Sequence, residues 1–427
     1  MHHVPEPAPS PEPAAPGASD PAARLDAVLA ALTPWPEDGS RPDGPVAVDA
    51  TDRLLLDEAA PLLATAGPGE VVTIGDRFGA LTLGALTLGP GEVRTSTDAV
   101  TAEAALQHQV GEPLMDAVRG DRREVGIKGF DHLEPGLFVG ARLVLLQLPP
   151  SLAELTEIAE AIARDAADDV VVLAGGRVKH MTRTMNEVLA ASFTEVRASL
   201  ARQKSRVLVA SGVRPEARDA APAFPARAVL RDAELVTAAT PAGGPTPEGV
   251  TVVAHGGTFA GPALDLGTRF LLTTAEKWPA ADRVHDALDL GSGTGLLATV
   301  LALRYPDARV VGADRSAAAV ASTRATAEAN GAGERVVVLR GDAGQDLEPA
   351  SLDMILLNPP FHDRAAVRTD AAHRMFVAAG RALRQGGELW CVFNTALHYR
   401  QALTRAVGPT VHIVQNPKFT VTRSRRR

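Results

Sequence analysis

The residues of this 427-residue chain that are best suited to chemistry stand in one short run, Asn358-Pro359-Pro360-Phe361. The two prolines hold the backbone extended and remove two amide donors, so nearby carbonyl groups stay free to accept hydrogen bonds. Asn358 adds a side-chain oxygen acceptor, and Phe361 offers a flat face on which a base can stack. These groups could hold a planar amino group with its lone pair turned towards a cofactor, so that catalysis would consist largely of positioning. The plainer interpretation of Asn-Pro-Pro is a turn.

A glycine-rich loop forms the second candidate site. The sequence Asp289-Leu-Gly291-Ser292-Gly293-Thr-Gly295 joins an apolar run to a helical pattern. Glycines at such a turn let the backbone lie flat against a ligand, and the amides at the helix start favour an anionic or polar group. A dinucleotide fingerprint would need a glycine at position 296, where this chain has leucine. The loop therefore suits a nucleoside with a charged amino-acid tail better than a pyrophosphate.

Two further acids follow the next two apolar runs. Asp314 stands 23 residues after Gly291, where a carboxylate can accept both ribose hydroxyls. Asp342, in Gly341-Asp342-Ala343, is predicted to lie near an adenine amino group. Each acid alone could be a solvated helix cap, but their places at successive strand ends favour a cofactor pocket. The predicted cofactor-binding residues are Asp289, Gly291, Ser292, Gly293, Gly295, Asp314, Arg315, Asp342 and Ala343.

The elements that must position these residues alternate regularly. Runs that are apolar throughout and alternate with helical patterns indicate a parallel sheet covered on both faces. The predicted strands are Ala287–Leu290, Val310–Ala313, Val336–Leu339, Met354–Leu357 and Leu389–Phe393, the predicted helices are Leu296–Arg304, Ala317–Asn330 and Ala371–Arg384, and a closing hairpin pairs Val411–Val414 with Phe419–Thr422. The second half is therefore expected to be a doubly wound α/β domain.

The first half resembles the second. Gly75 in GEVVTIGDRFGALTLGAL lies 216 residues before Gly291, and Pro149 in LVLLQLPPS lies 210 residues before Pro359. Two matches in the same order with nearly equal displacement indicate an internal duplication, although chance similarity between apolar strands is an alternative. We therefore predict two tandem Rossmann-like domains.

The first copy is predicted to be degenerate. Bulky Arg77 and Phe78 stand where the second half has Gly293 and Thr294, and would occupy the space of the cofactor. A local excess of basic residues between 175 and 206 could instead contact RNA phosphates, although a solvated helix face is an equal alternative. The basic residues assigned to RNA are Arg177, Lys179, Arg183 and Lys204.

Composition limits the remaining function classes. A single cysteine, Cys391, excludes a disulfide scaffold and a cysteine-rich zinc or iron–sulfur site. The chain has no apolar run of 18 residues and no basic leader followed by an apolar core, so we expect no membrane span and no signal peptide. The net charge of −8 argues against unspecific nucleic-acid binding. A cytoplasmic, monomeric globular protein without a metal is the expectation.

The motifs carry a family resemblance. DLGSGTG, Asp314 and NPPF resemble the class I S-adenosylmethionine-dependent methyltransferases that modify exocyclic or amide amino groups. The segment with Phe259, Asp265 and Arg269 resembles the bacterial ribosomal RNA guanine-N2 methyltransferases, in which two tandem copies of the fold include one catalytic copy. The closing Asn416–Phe419 strand and the basic end at 423–427 are most similar to the large-subunit enzymes.

The resemblance implies an activity and a set of roles. S-adenosylmethionine would be the cofactor, ribosomal RNA or a ribosomal subunit the partner, and the 2-amino group of one guanine the acceptor, with 23S favoured over 16S. The family's amino-group clamp falls on Asn358 to Phe361, and Phe259, Asp265 and Arg269 are assigned to substrate. The sequence departs from the family at Ala260, where relatives carry serine.

Four segments are expected along the chain. Residues 1–22 would be a disordered tail, 23–211 a degenerate methyltransferase-like domain that binds RNA, 212–227 a linker and 228–427 the catalytic domain.

Other functions are compatible with the same motifs. Adenine-N6 or protein-glutamine methylation could use the same Asn-Pro-Pro-Phe clamp. A nucleotide-dependent oxidoreductase and a non-catalytic RNA-binding protein are rivals from other classes; Leu296 argues against the former and the intact second loop against the latter.

Overall fold

The computed structural model describes residues 20–36, 44–122, 124–360 and 366–427, with the backbone alone over 366–370. Most of the predicted tail, residues 1–19, lies outside the described residues, and helix α1 begins at Pro21, where Asp20 accepts a hydrogen bond from Ala22 N. Within the described segments, no helix has the length and apolar character needed to cross a bilayer.

The first half builds one seven-stranded sheet with helices on both faces. Its elements are α1 (Pro21–Ala31), α2 (Ala50–Leu63), β1 (Val71–Ile74), α3 (Ala80–Leu88), β2 (Glu92–Ser96), α4 (Val100–Gln109), α5 (Glu112–Arg119), β3 (Gly126–Phe130), β4 (Leu143–Gln147), α6 (Leu152–Asp165), β5 (Val171–Arg177), α7 (Arg183–Ser192), β6 (Phe193–Ala198) and β7 (Ser205–Val213). The strand order is β3-β2-β1-β4-β5-β7-β6, with β7 antiparallel to both of its neighbours.

A short segment connects this sheet to the second. It contains α8 (Pro215–Asp219), the antiparallel pair β8 (Ala226–Leu230) and β9 (Val250–Ala254), and α9 (Ala233–Ala239) between them. The predicted linker at 212–227 is therefore not a free spacer. Arg218 of α8 pairs with Asp168 at 3.0 Å and donates to Ala166 O at 3.1 Å, which anchors the segment on the first domain.

The second half repeats the same architecture. Its elements are α10 (Leu266–Leu272), β10 (Asp286–Leu290), α11 (Leu296–Arg304), β11 (Arg309–Asp314), α12 (Ala317–Ala329), β12 (Val336–Arg340), β13 (Leu352–Leu357), α13 (Ala366–Ala382), β14 (Leu383–Asn394), α14 (Arg400–Ala406), β15 (Thr410–Gln415) and β16 (Phe419–Arg425). The strand order β12-β11-β10-β13-β14-β16-β15 is that of the first sheet, element for element. The prediction of two tandem doubly wound domains is confirmed.

The central strands form because both faces of each sheet are covered. All four residues of β1 and the last four residues of β10 are buried, which matches their continuous apolar character. Each sheet separates two hydrophobic clusters, one on each face. Parallel strands then place their carboxyl ends along one edge, which is where the candidate site lies.

The two domains meet through equivalent loops. Val100 N donates to Arg315 O at 2.9 Å, and Ala317 N donates to Asp98 O at 2.8 Å. A shift of 217 residues converts each of these bonds into the other, so the contact has pseudo-twofold symmetry. The loops follow β2 and β11, so the carboxyl edges of the two sheets face each other here.

Two charged side chains reinforce this contact. Asp98 Oδ1 accepts from Ser316 Oγ at 2.8 Å and from Ala318 N at 3.0 Å, so it caps α12 from the other domain. Arg340, at the end of β12, donates to Thr97 O and Asp98 O and pairs with Glu103 at 2.6 Å. The first domain thus contacts the ends of β11 and β12, two of the three strands that lead to predicted cofactor acids.

We expect Asp98→Ala to lower the free energy of unfolding by about 1–2 kcal/mol, because Ala318 N at the start of α12 loses its acceptor. Asp98→Asn keeps an oxygen acceptor and should retain most of that stability. Urea denaturation followed by circular dichroism measures both variants. An equal loss in Asp98→Asn would contradict the capping role.

Candidate active site

The glycine loop has the backbone conformation that its sequence predicts. Gly291, Gly293 and Gly295 all have positive φ, at +80°, +54° and +76°. A Cβ on Gly295 would lie 2.5 Å from Thr323 Cα, so glycine is required there by close packing against α12. A Cβ on Gly293 would meet nothing within 4 Å, so the space above this turn is open. The loop therefore leaves a backbone-lined hollow at the start of α11.

Two buried acids flank this hollow. Asp289 Oδ2 accepts from Ala298 N at 2.9 Å, and burial, with a smaller effect from Asp314, raises the pKa of Asp289 to about 7. Asp314 accepts from Gly293 N and Ser316 N, each at 3.0 Å, and burial raises its pKa as well. The Asp314 carboxylate thus lies directly beside the glycine loop, as the ribose assignment requires.

The third acid shares its charge with an arginine. Asp342 pairs with Arg374 of α13, with Oδ2 at 3.0 Å from Nη1 and Oδ1 at 3.3 Å from Nη2. A cavity of about 500 Å³ is lined by Asp342 and Ala343 together with His373, Arg374, Val377 and Ala378. Ala343 has a positive φ of 52°, which turns the chain sharply after Asp342. Any ligand amino group would have to share the Asp342 carboxylate with Arg374.

Two of the predicted cofactor residues have other contacts. The Ser292 hydroxyl lies 2.8 Å from the Thr323 hydroxyl and is buried, so this side chain faces α12 and only its backbone remains for a ligand. The Arg315 carbonyl accepts from Val100 N of the first domain, while its side chain is exposed. The Ser292 side chain therefore faces away from the hollow, while the cofactor role of the Arg315 side chain stays a prediction.

Asn358 is held in a single orientation. Its Nδ2 donates to Asp265 Oδ2 at 3.0 Å and to Thr268 Oγ1 at 2.9 Å, which uses both of its hydrogens. Its Oδ1 is buried and has no hydrogen-bond partner among the described residues. Pro359 is buried and Pro360 is exposed, while Phe361 lies outside the described residues. The Asn358 oxygen is consequently an acceptor without a donor.

The three residues assigned to substrate have different surroundings in the structure. Asp265 caps α10 by accepting a hydrogen bond from Thr268 N at 2.9 Å. It also accepts a hydrogen bond from Asn358 Nδ2, so its carboxylate orients the Asn358 amide. Arg269 pairs with Asp232 at 2.9 Å and stays half-exposed. Phe259 is 54 % exposed and precedes Ala260, whose φ is +64°. The structure brings Asp265 to the Asn358 amide and places Arg269 in an ion pair.

Sequence reasoning missed Thr268. Its hydroxyl accepts one hydrogen of the Asn358 amide although 90 residues separate them. The only local signal is its position three residues after Asp265, the spacing of a helix cap. That spacing predicts the hydrogen bond from Thr268 N to Asp265, but it does not predict that Asn358, at the end of β13, donates to the Thr268 hydroxyl.

The glycine loop of the first domain contains a carboxylate that binds backbone amides of its own loop and of α3. Gly75 and Gly79 keep positive φ, but the buried Asp76 carboxylate accepts from Gly79 N at 3.0 Å and Thr82 N at 2.8 Å. Phe78 packs into the hydrophobic core, so it does not fill a cofactor crevice as predicted. The first loop instead differs by carrying the buried Asp76 carboxylate directly after Gly75, where the second loop has Ser292 after Gly291.

A second change in the first domain removes an acid. Gly75 N donates to Ser96 O as Gly291 N donates to Ala313 O, so the next residues, Thr97 and Asp314, are equivalent. The first copy therefore lacks the carboxylate that stands beside the glycine loop of the second copy.

The basic residues of the first domain come together at the carboxyl end of β5. Arg177 pairs in register with Ser205 of β7, and Val178 N donates to Lys204 O at 2.9 Å. Lys179 follows in a short 3-10 turn and Arg183 begins α7. Lys179, Arg183 and Lys204 are exposed, and the described residues offer none of the four basic side chains an ion pair. Positive charge is thus concentrated at one edge of the first sheet.

Comparison with known proteins gives matches across both domains. Residues 31–214 match the RLMG N-terminal domain and residues 249–423 match the methyltransferase small domain. The T. thermophilus 16S rRNA N2 G1207 methyltransferase RsmC, solved with AdoMet and guanosine, aligns with a TM-score of 0.66 at 22% identity, over 94% of this chain and 99% of that one. At this identity the likeness shows the shared fold.

Sequence relatives match over nearly the whole chain. A ribosomal RNA large subunit methyltransferase G from Streptomyces avermitilis is 34% identical over 397 residues, which is 92% of this chain and 96% of that protein. A protein of the same name from Pseudomonas aeruginosa is 34% identical over 381 residues, covering 88% of this chain and 92% of that protein. The chain belongs to the ribosomal RNA large subunit methyltransferase G family.

Proposed function

We propose that this protein transfers a methyl group from S-adenosylmethionine to the exocyclic 2-amino group of a guanine in large-subunit ribosomal RNA. The observation that carries the proposal is the buried Oδ1 of Asn358, which has no hydrogen-bond partner among the described residues and is held in place by the two hydrogen bonds that Nδ2 donates. A buried acceptor without a donor costs about 1–3 kcal/mol, which a ligand that supplies the donor recovers. An amino group is such a donor.

The geometry of the clamp suits an amine that needs no prior deprotonation. One N–H of the acceptor amine would donate to Asn358 Oδ1, and the other would donate to a backbone carbonyl of the Asn-Pro-Pro segment. The two prolines have no backbone N–H, so they bring no donor of their own that could occupy that carbonyl. With both hydrogens engaged, the lone pair of the amine points out of the amine plane. Catalysis then rests on orientation, and the stacking role of Phe361 stays a prediction.

The residues of the hollow fit the proposed cofactor. The open space above Gly293 admits a ligand against the backbone, Asp314 can accept ribose hydroxyls, and Asp289 places a buried acid beside the loop for the ammonium group of the amino-acid tail. Asp342 and Ala343 are proposed to border the adenine. When bound, S-adenosylmethionine supplies an electrophilic methyl group on a sulfonium centre.

The relatives support the choice of acceptor. RsmC is a 16S rRNA N2 G1207 methyltransferase solved with AdoMet and guanosine, while the sequence relatives are named for the large subunit. Membership of the latter family favours 23S rRNA over 16S rRNA here. Adenine-N6 and protein-glutamine methylation use the same type of amino group and are tested as alternatives below.

We propose that the first domain grips RNA through Arg177, Lys179, Arg183 and Lys204. These side chains lie on the carboxyl edge of the first sheet, next to the end of β4. The segment after β4 touches the second domain, where Ser151 Oγ donates to Gly256 O at 3.1 Å. A phosphate backbone bound at these residues would therefore run close to the domain boundary.

The function is tested by incubating the full-length protein with separated, unmodified 16S and 23S rRNA and labelled S-adenosylmethionine, followed by mass spectrometry of the nucleosides. We expect N2-methylguanosine in 23S rRNA. N6-methyladenosine, or label found only in protein, would overturn the guanine assignment, and label in 16S rRNA alone would overturn the choice of subunit.

We expect Asn358→Ala to lower kcat by about 10²–10³, the usual effect of losing one positioned hydrogen-bond partner of the reacting group. The Kd for S-adenosylhomocysteine should change little, because the hollow at Gly291–Gly295 is untouched. Single-turnover methylation and calorimetry give the two values. A large loss of cofactor affinity would mean that Asn358 belongs to the cofactor pocket.

Thr268→Val provides the matched test of orientation. Valine has the shape of threonine but cannot accept the Asn358 N–H, so the amide gains freedom while its oxygen remains present. We expect a smaller fall in kcat than in Asn358→Ala, with KM for RNA nearly unchanged. Wild-type kcat in Thr268→Val would exclude Thr268 as a positioning residue.

We expect S-adenosylhomocysteine affinity to rise with pH, by about tenfold between pH 6 and pH 8. Burial raises the pKa of Asp289 to about 7, so the acid is largely protonated at pH 6 in the free protein. An ammonium group bound beside it favours the ionised form, so binding releases a proton and is favoured at high pH. Calorimetry across this range measures the effect. Asp289→Asn should flatten the profile, and an unchanged slope in that variant would refute the assignment.

A further inference from the structure

We propose that His132, Glu157 and His255 form a Zn²⁺ site that joins the two domains. His132 follows β3 and Glu157 lies in α6, both in the first domain, while His255 follows β9 in the second part of the chain. One ligand atom from each residue lies within 4.8 Å of the other two. The set of two imidazoles and one carboxylate is a donor set that zinc accepts.

The distances are close to those of a zinc site. Glu157 Oε1 lies 2.6 Å from His255 Nδ1, and Glu157 Oε2 lies 3.4 Å from His132 Nε2. Neighbouring ligand atoms around a tetrahedral Zn²⁺ with bonds of about 2.0–2.2 Å are separated by about 3.3–3.5 Å. Binding requires the first distance to open by roughly 0.8 Å, while all three ligand atoms already lie within 4.8 Å of one another.

An internal hydrogen bond does not account for all three residues. His255 and Glu157 can satisfy each other, but His132 Nε2 is buried and has no hydrogen-bond partner within the described structure. The two imidazole rings meet edge to face with centroids 4.7 Å apart, so both rings turn towards the same carboxylate. His132 Nε2 lies 3.4 Å from Glu157 Oε2 without hydrogen-bond geometry, so a cation placed between the two atoms could bind both.

The ligands are also supported and reachable. Gly256 N donates to Glu157 Oε2 at 2.7 Å, the outer support that ligating carboxylates usually have. The side chains of His132 and His255 are 11% and 18% exposed, which leaves a path from solvent and a fourth position for water.

This site could not be predicted from the sequence because its three residues lie far apart along the chain. The three residues are at least 25 positions apart and no pair has a metal-motif spacing. Since His255 comes from the segment after β9 and the other two from the first domain, the ion would link parts of the chain that the proposed RNA methylation does not use directly. The inference is independent of the proposed function.

The test uses the full chain without an affinity tag, treated with EDTA and then desalted. Calorimetric titration with ZnSO₄ should show one ion per chain, and zinc should raise Tm by a few degrees because it binds the folded protein alone. Co²⁺ should give the intense visible absorption of a tetrahedral site, which Zn²⁺ then abolishes. This readout needs no variant and so does not depend on any variant folding.

Variants locate the ion. His132→Gln and His255→Gln should each weaken Zn²⁺ binding at least tenfold and remove the Tm shift, as loss of a ligand does. His285→Gln, which alters a largely exposed histidine elsewhere, is the matched control and should bind like the wild type. Absence of stoichiometric zinc, an octahedral cobalt spectrum, or equal affinity in His132→Gln and the control would each overturn the proposal.

Discussion

The amide of Asn358 can present its oxygen only because its nitrogen is held elsewhere. Asp265 and Thr268 take both N–H groups, and α10, which carries them, is itself started by the Asp265 cap. A free amide would rotate and offer either end to a ligand. Because Nδ2 is fixed by these two hydrogen bonds, Oδ1 is the atom of the amide that a ligand can reach, and it can only accept. The orientation of Asn358 therefore depends on α10, a helix that precedes the whole second sheet in sequence.

Duplication gave this protein two equal frameworks, of which one kept an open hollow. Both sheets have the same strand order, and the first glycine loop keeps two of the three positive-φ positions, at Gly75 and Gly79. The difference lies in a few side chains: Asp76 stands where the second loop has Ser292, and Thr97 stands where the second copy has Asp314. The first domain thus keeps the fold although it lacks these site residues, so the fold does not depend on them.

The sequence was a good guide to local structure and a poorer one to contacts. Helix Leu296–Arg304 has the predicted bounds, and each predicted strand of the second half lies within the observed one, because apolar periodicity is a local property. The role of Asp265 and the inward turn of the Ser292 hydroxyl depend on partners 93 and 31 residues away. No spacing rule encodes such approaches, so the residue types were found while their partners were not.

The reciprocal bonds between Val100 and Arg315 and between Ala317 and Asp98 bear on how the protein evolved. In a homodimeric ancestor with this contact, every substitution in the loop would have changed both sides at once. In a single chain that holds both loops, each loop can change separately, so a carboxylate can stand at one position and a guanidinium at its counterpart, as in Asp98 and Arg315. The contact is therefore symmetric in its backbone hydrogen bonds and asymmetric in its side chains.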